Sequence, residues 1–223
     1  EPKPMLVPMC VKESCCCDMS GLSLKNVTLS LIDTAKNKAV YKELGEMLFT
    51  HFGVSGPLVL SASAYVKKSD YRLEIDLKPA LDDKKLDARL LRDFGEQHAK
   101  QISTVMRGLL PQAMVEPVLD KAGVAIDTKI SEITKVQRAA IVNALKRFDL
   151  TVTGLRPIEE AIITDGGVSL KEIDPKTMQS KLIDGLYFAG EIIDCAAYTG
   201  GYNLQIAFST AHSAAAAAAA GRR

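Results

Sequence analysis

Two spacings of apolar residues divide the chain. Val27, Leu29 and Leu31 alternate with Asn26, Thr28 and Ser30, the two-residue period of a half-buried strand. After a turn at Lys36-Asn37-Lys38, the run from Ala39 to Leu44 predicts a partner strand, and Met47-Leu48-Phe49 a third. Tyr71, Leu73, Ile75 and Leu77 alternate with Arg72, Glu74 and Asp76, the clearest strand of all. Short strands on short connections predict a small antiparallel barrel or sandwich. Between them, the glycines and proline of His51-Phe52-Gly53-Val54-Ser55-Gly56-Pro57 mark a turn. Pro57 suits the first position of a helix over residues 58–64.

The middle of the chain changes period. Leu86, Leu90 and Phe94, then Ile102, Val105, Met106 and Leu109, recur at helical spacing. Ser131 is the expected cap of a helix whose buried stripe is Ile133, Val136, Ala140, Ile141, Ala144, Leu145 and Phe148. Its acidic start at Glu132 and basic end at Lys146 and Arg147 match the helix dipole. The mixed charges of Lys84, Lys85, Asp87, Arg89, Arg92 and Asp93 read as a solvated face. Leu150 to Thr153 returns to strand spacing and is expected to rejoin the first sheet. The alanine tract 214–220 is expected to end the last helix. Residues 1–21, proline-rich at their start, read as an extended lead-in.

Composition removes several function classes. The 223 residues are long enough for one sizeable core or two small domains, with 47% hydrophobic and 25% charged residues. A formal net charge of +1 gives no electrostatic case for nucleic acid or an anionic membrane, and 5% aromatics without Trp argue against a base-stacking surface. No apolar run approaches the ~20 residues that span a bilayer. The first residues lack the pattern of a signal peptide. Five cysteines, with Cys15, Cys16 and Cys17 adjacent, fit neither a disulfide framework nor C-x2-C zinc spacing, so a reducing cytoplasm is the expected compartment and no metal is expected. His51, His98 and His212 are scattered. His51 is a weak candidate proton donor beside a ligand; its alternative is a strand-end histidine meeting a loop carbonyl.

Chemistry concentrates near the C-terminus. Leu186-Tyr187-Phe188-Ala189 reads as a buried strand, and Gly190 permits a tight turn just beyond it. Glu191 and Asp194 then stand where ligands gather in open α/β folds, as acceptors for sugar or polyol hydroxyls. Gly200 and Gly201 leave backbone N–H groups uncovered, and Asn203 is expected to cap a helix from about Leu204. That helix N-terminus would stabilise negative charge on an electron-rich ring.

Thr164-Asp165-Gly166-Gly167-Val168, Gly185-Leu186-Tyr187-Phe188-Ala189-Gly190-Glu191 and Thr199-Gly200-Gly201-Tyr202-Asn203-Leu204-Gln205 resemble the C-terminal signatures of the aminoacetone-oxidase-like (BaiN/YhiN-type) flavoproteins. Phe49 to Pro57 is similar to that family's insert region. The resemblance implies an α+β, multidomain chain: a β-barrel-like domain over residues 22–81 and 150–163, a helical insert over 82–149, and the C-terminal part of a split FAD-binding α/β domain over 164–223. It implies that Gly190, Glu191 and Asp194 lie near the ribityl and pyrophosphate part of FAD. Gly200, Gly201, Tyr202 and Asn203 would face the isoalloxazine ring, with Thr164, Gly166 and Gly167 in a further loop near the cofactor. NAD(P)H is the candidate electron donor, and a small molecule the expected substrate. The family's G-x-G-x-x-G fingerprint occurs nowhere in the sequence. A fragment of a longer flavoprotein, or a truncated relative, is therefore expected to bind FAD poorly alone. The alternative is a non-catalytic interaction module without its nucleotide-binding half.

Overall fold

The computed structural model describes residues 2–67 and 70–221. Strands are β1 (Lys3–Met5), β2 (Met9–Val11), β3 (Ser23–Asp33), β4 (Lys38–Thr50), β5 (Gly53–Ser55), β6 (Tyr71–Asp76), β7 (Phe148–Leu155) and β8 (Ile163–Asp165). Helices are α1 (Cys15–Asp18), α2 (Pro57–Ser63), α3 (Asp83–Glu96), α4 (Ile102–Met106), α5 (Gln112–Lys121), α6 (Lys135–Lys146) and α7 (Tyr202–Ala220). The chain folds into two compact units. One comprises Met9–Leu58 and Tyr65–Gly154, and the other Glu1–Pro8, Val59–Ala64 and Leu155–Arg223.

The larger unit is a closed barrel with strand order β2-β5-β4-β3-β6-β7. Closure abolishes the exposed edges that an open sheet would present. It demands strongly bent strands, and β3 and β4 bend at register shifts between Leu24/Val27 and Leu31/Ile32. The alternation along β3 and β6 puts Leu29, Leu31, Leu73 and Ile75 fully inside, with Phe49 and Phe148. Two sequence expectations change here. The partner strand and the third strand are one continuous β4, because its bulge lets a single strand turn the barrel wall. The extended lead-in contains β2, a barrel strand paired with β5, and its continuation bonds to β7: the Lys12 N–H donates to the Thr151 carbonyl at 3.0 Å. Three-residue strands carry too few positions to show alternation, so they escaped the pattern.

The helical segment between β6 and β7 buries Leu86, Leu90 and Phe94 of α3 against α6 and its neighbours. The Asp82 carboxylate accepts the Lys85 N–H at 2.8 Å and caps α3, which holds its carboxyl below the usual carboxylate range. The cap of α6 is Thr134, not Ser131: Thr134 and Gln137 form a reciprocal capping box, while Ser131 lies in a 3-10 turn. The later start shortens the stripe at its N-terminal end rather than moving it. Ile141, Val142, Ala144 and Leu145 are buried, but Val136, expected inside, is 78% exposed. At the end of α6 the Lys146 ammonium donates to Asp76 Oδ2 at 2.6 Å and to the carbonyls of Leu81 and Lys78 at 2.6 and 3.1 Å. One side chain thus ties the exit of the helical segment to its start.

In the smaller unit, β1 pairs antiparallel with β8. Met5, Leu6 and Ile163 form one small core with Leu60 and Ala64 of the α2 segment. Ser63 Oγ, accepting the Val7 N–H at 3.1 Å, fixes that packing. A second core gathers Ile173, Met178, Ile193 and Ala214. The expected buried strand at Leu186–Ala189 does not form. Tyr187 makes one isolated bridge to Gln179, and Leu186 is 38% exposed. A buried parallel strand needs ladders on both sides, and the described residues supply a single bridge. The alanine tract closes α7 as expected. No helix among the described residues is long and apolar enough to cross a membrane.

Candidate functional site

Three stretches of the smaller unit converge on one cavity of about 370 Å3. The first is β8. In β8, where Thr164 pairs with Pro4, the Thr164 N–H donates to Glu191 Oε1 at 2.6 Å, and its hydroxyl donates to the same oxygen at 3.1 Å. A charge-assisted pair of this kind is stronger than a neutral one and fixes the carboxylate's position. Part of the Glu191 acceptor capacity is therefore spent inside the protein.

The second stretch is the 3-10 turn Gly190–Ile192. The Gly190 N–H donates to Thr210 Oγ1 at 3.0 Å, and that hydroxyl donates to the Ile206 carbonyl at 2.7 Å. Helix α7 therefore holds the turn that carries Glu191. The third stretch is the start of α7 itself. Gly200 and Gly201 have φ of 113° and 88°, and Gly201 is the N-cap with no side chain closing the helix. A Cβ added to Gly201 would meet nothing within 4 Å, so open space lies over this turn. The first-turn N–H groups have no acceptor within the helix.

Asn203 does not cap α7 as the sequence suggested. Its Oδ1 accepts the Ala197 N–H at 2.8 Å and its Nδ2 donates to the Ala197 carbonyl at 2.8 Å, as a peptide group would. It lies inside the first turn, where its side chain reaches back to the preceding loop rather than to the helix N–H groups. The consequence is a loop, residues 195–198, fixed against the helix start.

Of the residues expected at a cofactor, Thr164, Gly190, Glu191, Gly201 and Asn203 line the cavity. Gly166, Gly167, Asp194, Gly200 and Tyr202 do not. Gly167 has another task. A Cβ there would sit 2.4 Å from the Ile192 carbonyl oxygen, because its chain crosses residues 192–194. The Val168 N–H donates to the Ile192 carbonyl at 2.8 Å and the Asp194 N–H to the Val168 carbonyl at 3.0 Å. Tyr202 is 63% exposed. His51 lies in the barrel unit, its ring edge-on to Phe52 at 5.0 Å, while its carbonyl accepts the Cys17 thiol at 2.8 Å. It is not among the cavity's residues.

Sequence reading fixed on glycines and polar groups and missed the cavity's apolar wall: Ile162, Ile163, Leu204, Ile206 and Ala207, with Cys195 at its side. Residues 203, 204 and 207 share one helical face, the available signal. An apolar wall with a few placed polar groups and an uncapped helix start suits a flat, partly anionic ring. Elsewhere in the smaller unit, the carboxylate of Asp174 accepts the N–H groups of Lys176 and Thr177, which holds its carboxyl below the ordinary range. Its contribution to this turn is present above the unfolded carboxyl pKa and is lost only as pH falls through the lower folded value.

Residues 3–163 match the family model described as HI0933-like protein barrel and H2TH domain. The chain is 34% identical over 215 residues to a ribosomal RNA dihydrouridine synthase of Haemophilus influenzae, covering 96% of this chain and 51% of that protein. It is 31% identical over 188 residues to a ribosomal RNA dihydrouridine synthase of Escherichia coli, covering 84% and 45%. It is 26% identical over 221 residues to a 3-dehydro-bile acid delta(4,6)-reductase of Clostridium scindens, covering 97% and 53%. The chain thus spans about half the length of the curated relatives it matches.

Proposed function

The chain belongs to the HI0933-like family, and from that premise we propose that it forms the flavin-facing wall of an FAD-dependent reductase. A nucleotide-binding βαβ unit with a G-x-G-x-x-G turn would complete the site, since no such turn occurs in this sequence. The observation that carries the reading is the cavity of about 370 Å3, lined together by apolar residues, a fixed carboxylate and an uncapped helix start. Exposed apolar side chains on α7 support the need for a covering unit: Leu204 is 64% and Phe208 69% exposed.

FAD bound there would supply two-electron hydride chemistry, with NAD(P)H as the electron source. This chain's own part is binding and orientation. The first-turn N–H groups of α7 would hold an anionic ring edge, and Gly201 would let that ring approach the backbone closely. Asn203 keeps the 195–198 loop against the helix start, and the Thr164–Glu191 latch fixes the cavity's far side. The apolar wall would exclude water from the ring face.

The names of the three relatives, two dihydrouridine synthases and one delta(4,6)-reductase, support a reductive reaction, and the proposed reaction adds two hydrogens across a carbon–carbon double bond. Two substrate readings follow. A small enone is favoured by a net charge of +1 and the apolar cavity wall. A uracil of ribosomal RNA is favoured by the two relatives above 30% identity.

The first experiment is a titration of this chain with FAD, followed by flavin fluorescence, alone and with a nucleotide-binding unit from a relative. Weak binding alone and tight binding with the added unit is the expected result; sub-micromolar affinity of the chain alone would remove the need for a second half. Flavin refused even by the completed protein would leave a non-catalytic module. The completed protein, with NADPH, is then offered a steroid-like enone and unmodified ribosomal RNA. Mass spectrometry reads which substrate gains two hydrogens.

A further inference from the structure

The end of the helical segment meets the outer wall of the barrel around a second cavity, of about 320 Å3, wholly within the barrel unit. Alternation along β3 sends Leu29 and Leu31 inside and leaves Thr28 and Ser30 on the outer face. Ser30 pairs with Lys42 of β4 on one side and with Glu74 of β6 on the other, while Thr28 pairs with Asp76. These residues line the cavity, and Lys146 and Arg147 reach it from the end of α6.

Ser30 is an unexpected occupant of that floor. Although it faces outward it is only 7% exposed, yet its hydroxyl has no hydrogen-bond partner among the described residues. Buried hydroxyls are normally paired, and leaving one unpaired costs stability. The Thr28 hydroxyl and the Lys42 ammonium, which line the same cavity, likewise have no hydrogen-bond or ion-pair partner among the described residues. The other charges around it are matched. Lys146 is held by Asp76 at 2.6 Å, Glu74 faces Arg72 at 3.8 Å, and Arg147 meets Asp83 at 3.1 Å. What is left is one ammonium and two hydroxyls, and all three can donate.

We propose that this cavity binds a small oxyanion, whose carboxylate or phosphate head accepts hydrogen bonds from Ser30, Thr28 and Lys42. Charge selects it. With the matched pairs set aside, the Lys42 charge is left over, so a singly charged anion completes the site and a cation would be repelled. Glu74 and Asp76, tied to Arg72 and Lys146, border the site and disfavour a multiply charged ligand. The volume of about 320 Å3 is roughly ten times a water molecule's share of liquid, which leaves room for a small body behind the head. Pro79 apart, the lining side chains are polar, so that body is polar too. No residue of this site belongs to the cavity assigned to the flavin, and its test is independent of that reading.

The chain is titrated at neutral pH and low salt with glycolate, inorganic phosphate and ethylammonium, and amide NMR shifts are followed. Saturable shifts centred on Thr28, Ser30 and Lys42 are expected with an anion, and the stronger of the two anions identifies the head group. Lys42→Gln should weaken that binding about tenfold, and Ser30→Ala about fivefold. Lys38→Gln removes an exposed lysine of the same strand outside the cavity, and should leave binding unchanged. Without any anion, Ser30→Ala should unfold at the same or a higher urea concentration, because it removes an unpaired hydroxyl. A lower urea midpoint would show that the hydroxyl serves the fold and would overturn the proposal. So would shifts scattered over the surface lysines, equal losses in Lys38→Gln and Lys42→Gln, or a preference for ethylammonium.

Discussion

Replacing Lys146 with methionine should destabilise the barrel unit by roughly 3 kcal/mol, the scale expected when one partner of a buried charged cluster is removed. The Lys146 side chain is only 10% exposed, and its ammonium is the partner of Asp76 and of the carbonyls of Lys78 and Leu81. Methionine keeps the length of the stem but none of the donors, so an anion and two carbonyls lose their partner together. The same substitution logic applied to Arg147, whose contact with Asp83 joins side chains 47% and 51% exposed, should cost less than about 1 kcal/mol. Urea unfolding of the two variants checks the contrast. Equal losses for Lys146→Met and Arg147→Met would mean that burial does not set the value of the Lys146 cluster. The position also has a structural consequence. The cluster closes the loop from the end of β6 to the end of α6, so hydrogen exchange should rise first at the Leu77 amide, which donates to the Leu145 carbonyl at 2.9 Å.

How much of this was legible in the sequence depended on element length. The alternation from Val27 to Leu31 and from Tyr71 to Leu77 identified β3 and β6 because each strand presents several positions to the barrel core. The β2 and β5 strands have three residues each, and their place in the barrel is set by partners distant in sequence. Ser131 and Thr134 are both good caps in isolation; what decides for Thr134 is Gln137 three residues on, a pattern present in the sequence and passed over. The Leu186–Ala189 run failed for a different reason. Its apolar pattern belongs to a strand with neighbours, and in the described residues it has one bridge. In the site, each of the three glycine-rich stretches sends a residue to one cavity, while Gly166, Gly167 and Gly200 lie outside its lining. Thr164 and Glu191 make a long-range hydrogen bond, and Asn203 a local one back to Ala197, that no spacing announces. The apolar wall was hidden because Leu204, Ile206 and Ala207 read simply as helix interior.

Gly167→Ala tests which kind of glycine the Thr164–Val168 stretch contains. A ligand-facing glycine would tolerate alanine in the absence of ligand. A glycine needed for chain crossing would not, and the geometry at Gly167 is of the second kind. The new Cβ would fall 2.4 Å from the Ile192 carbonyl oxygen and 3.0 Å from the Asp194 nitrogen, at a φ of +146° that side chains rarely adopt. Backbone atoms cannot yield as a flexible side chain can, so strain and overpacking together should cost roughly 3 kcal/mol. Gly95→Ala makes the opposite control. Gly95 lies in α3 with nothing within 4 Å of an added Cβ, and alanine there should stabilise by about 0.5 kcal/mol. Because the two glycines belong to different compact units, a single melting temperature would mix two responses. The readout is therefore local: Gly167→Ala should accelerate exchange of the Val168 and Asp194 amides, which bridge the crossing, and leave the Leu77 amide unchanged. The displacement should also carry Glu191 away from Thr164, since Glu191 and Ile192 share one turn, and so weaken flavin binding by the completed protein. If the Val168 amide stays protected while flavin binding falls, Gly167 faces the ligand after all, and the crossing is not what requires it.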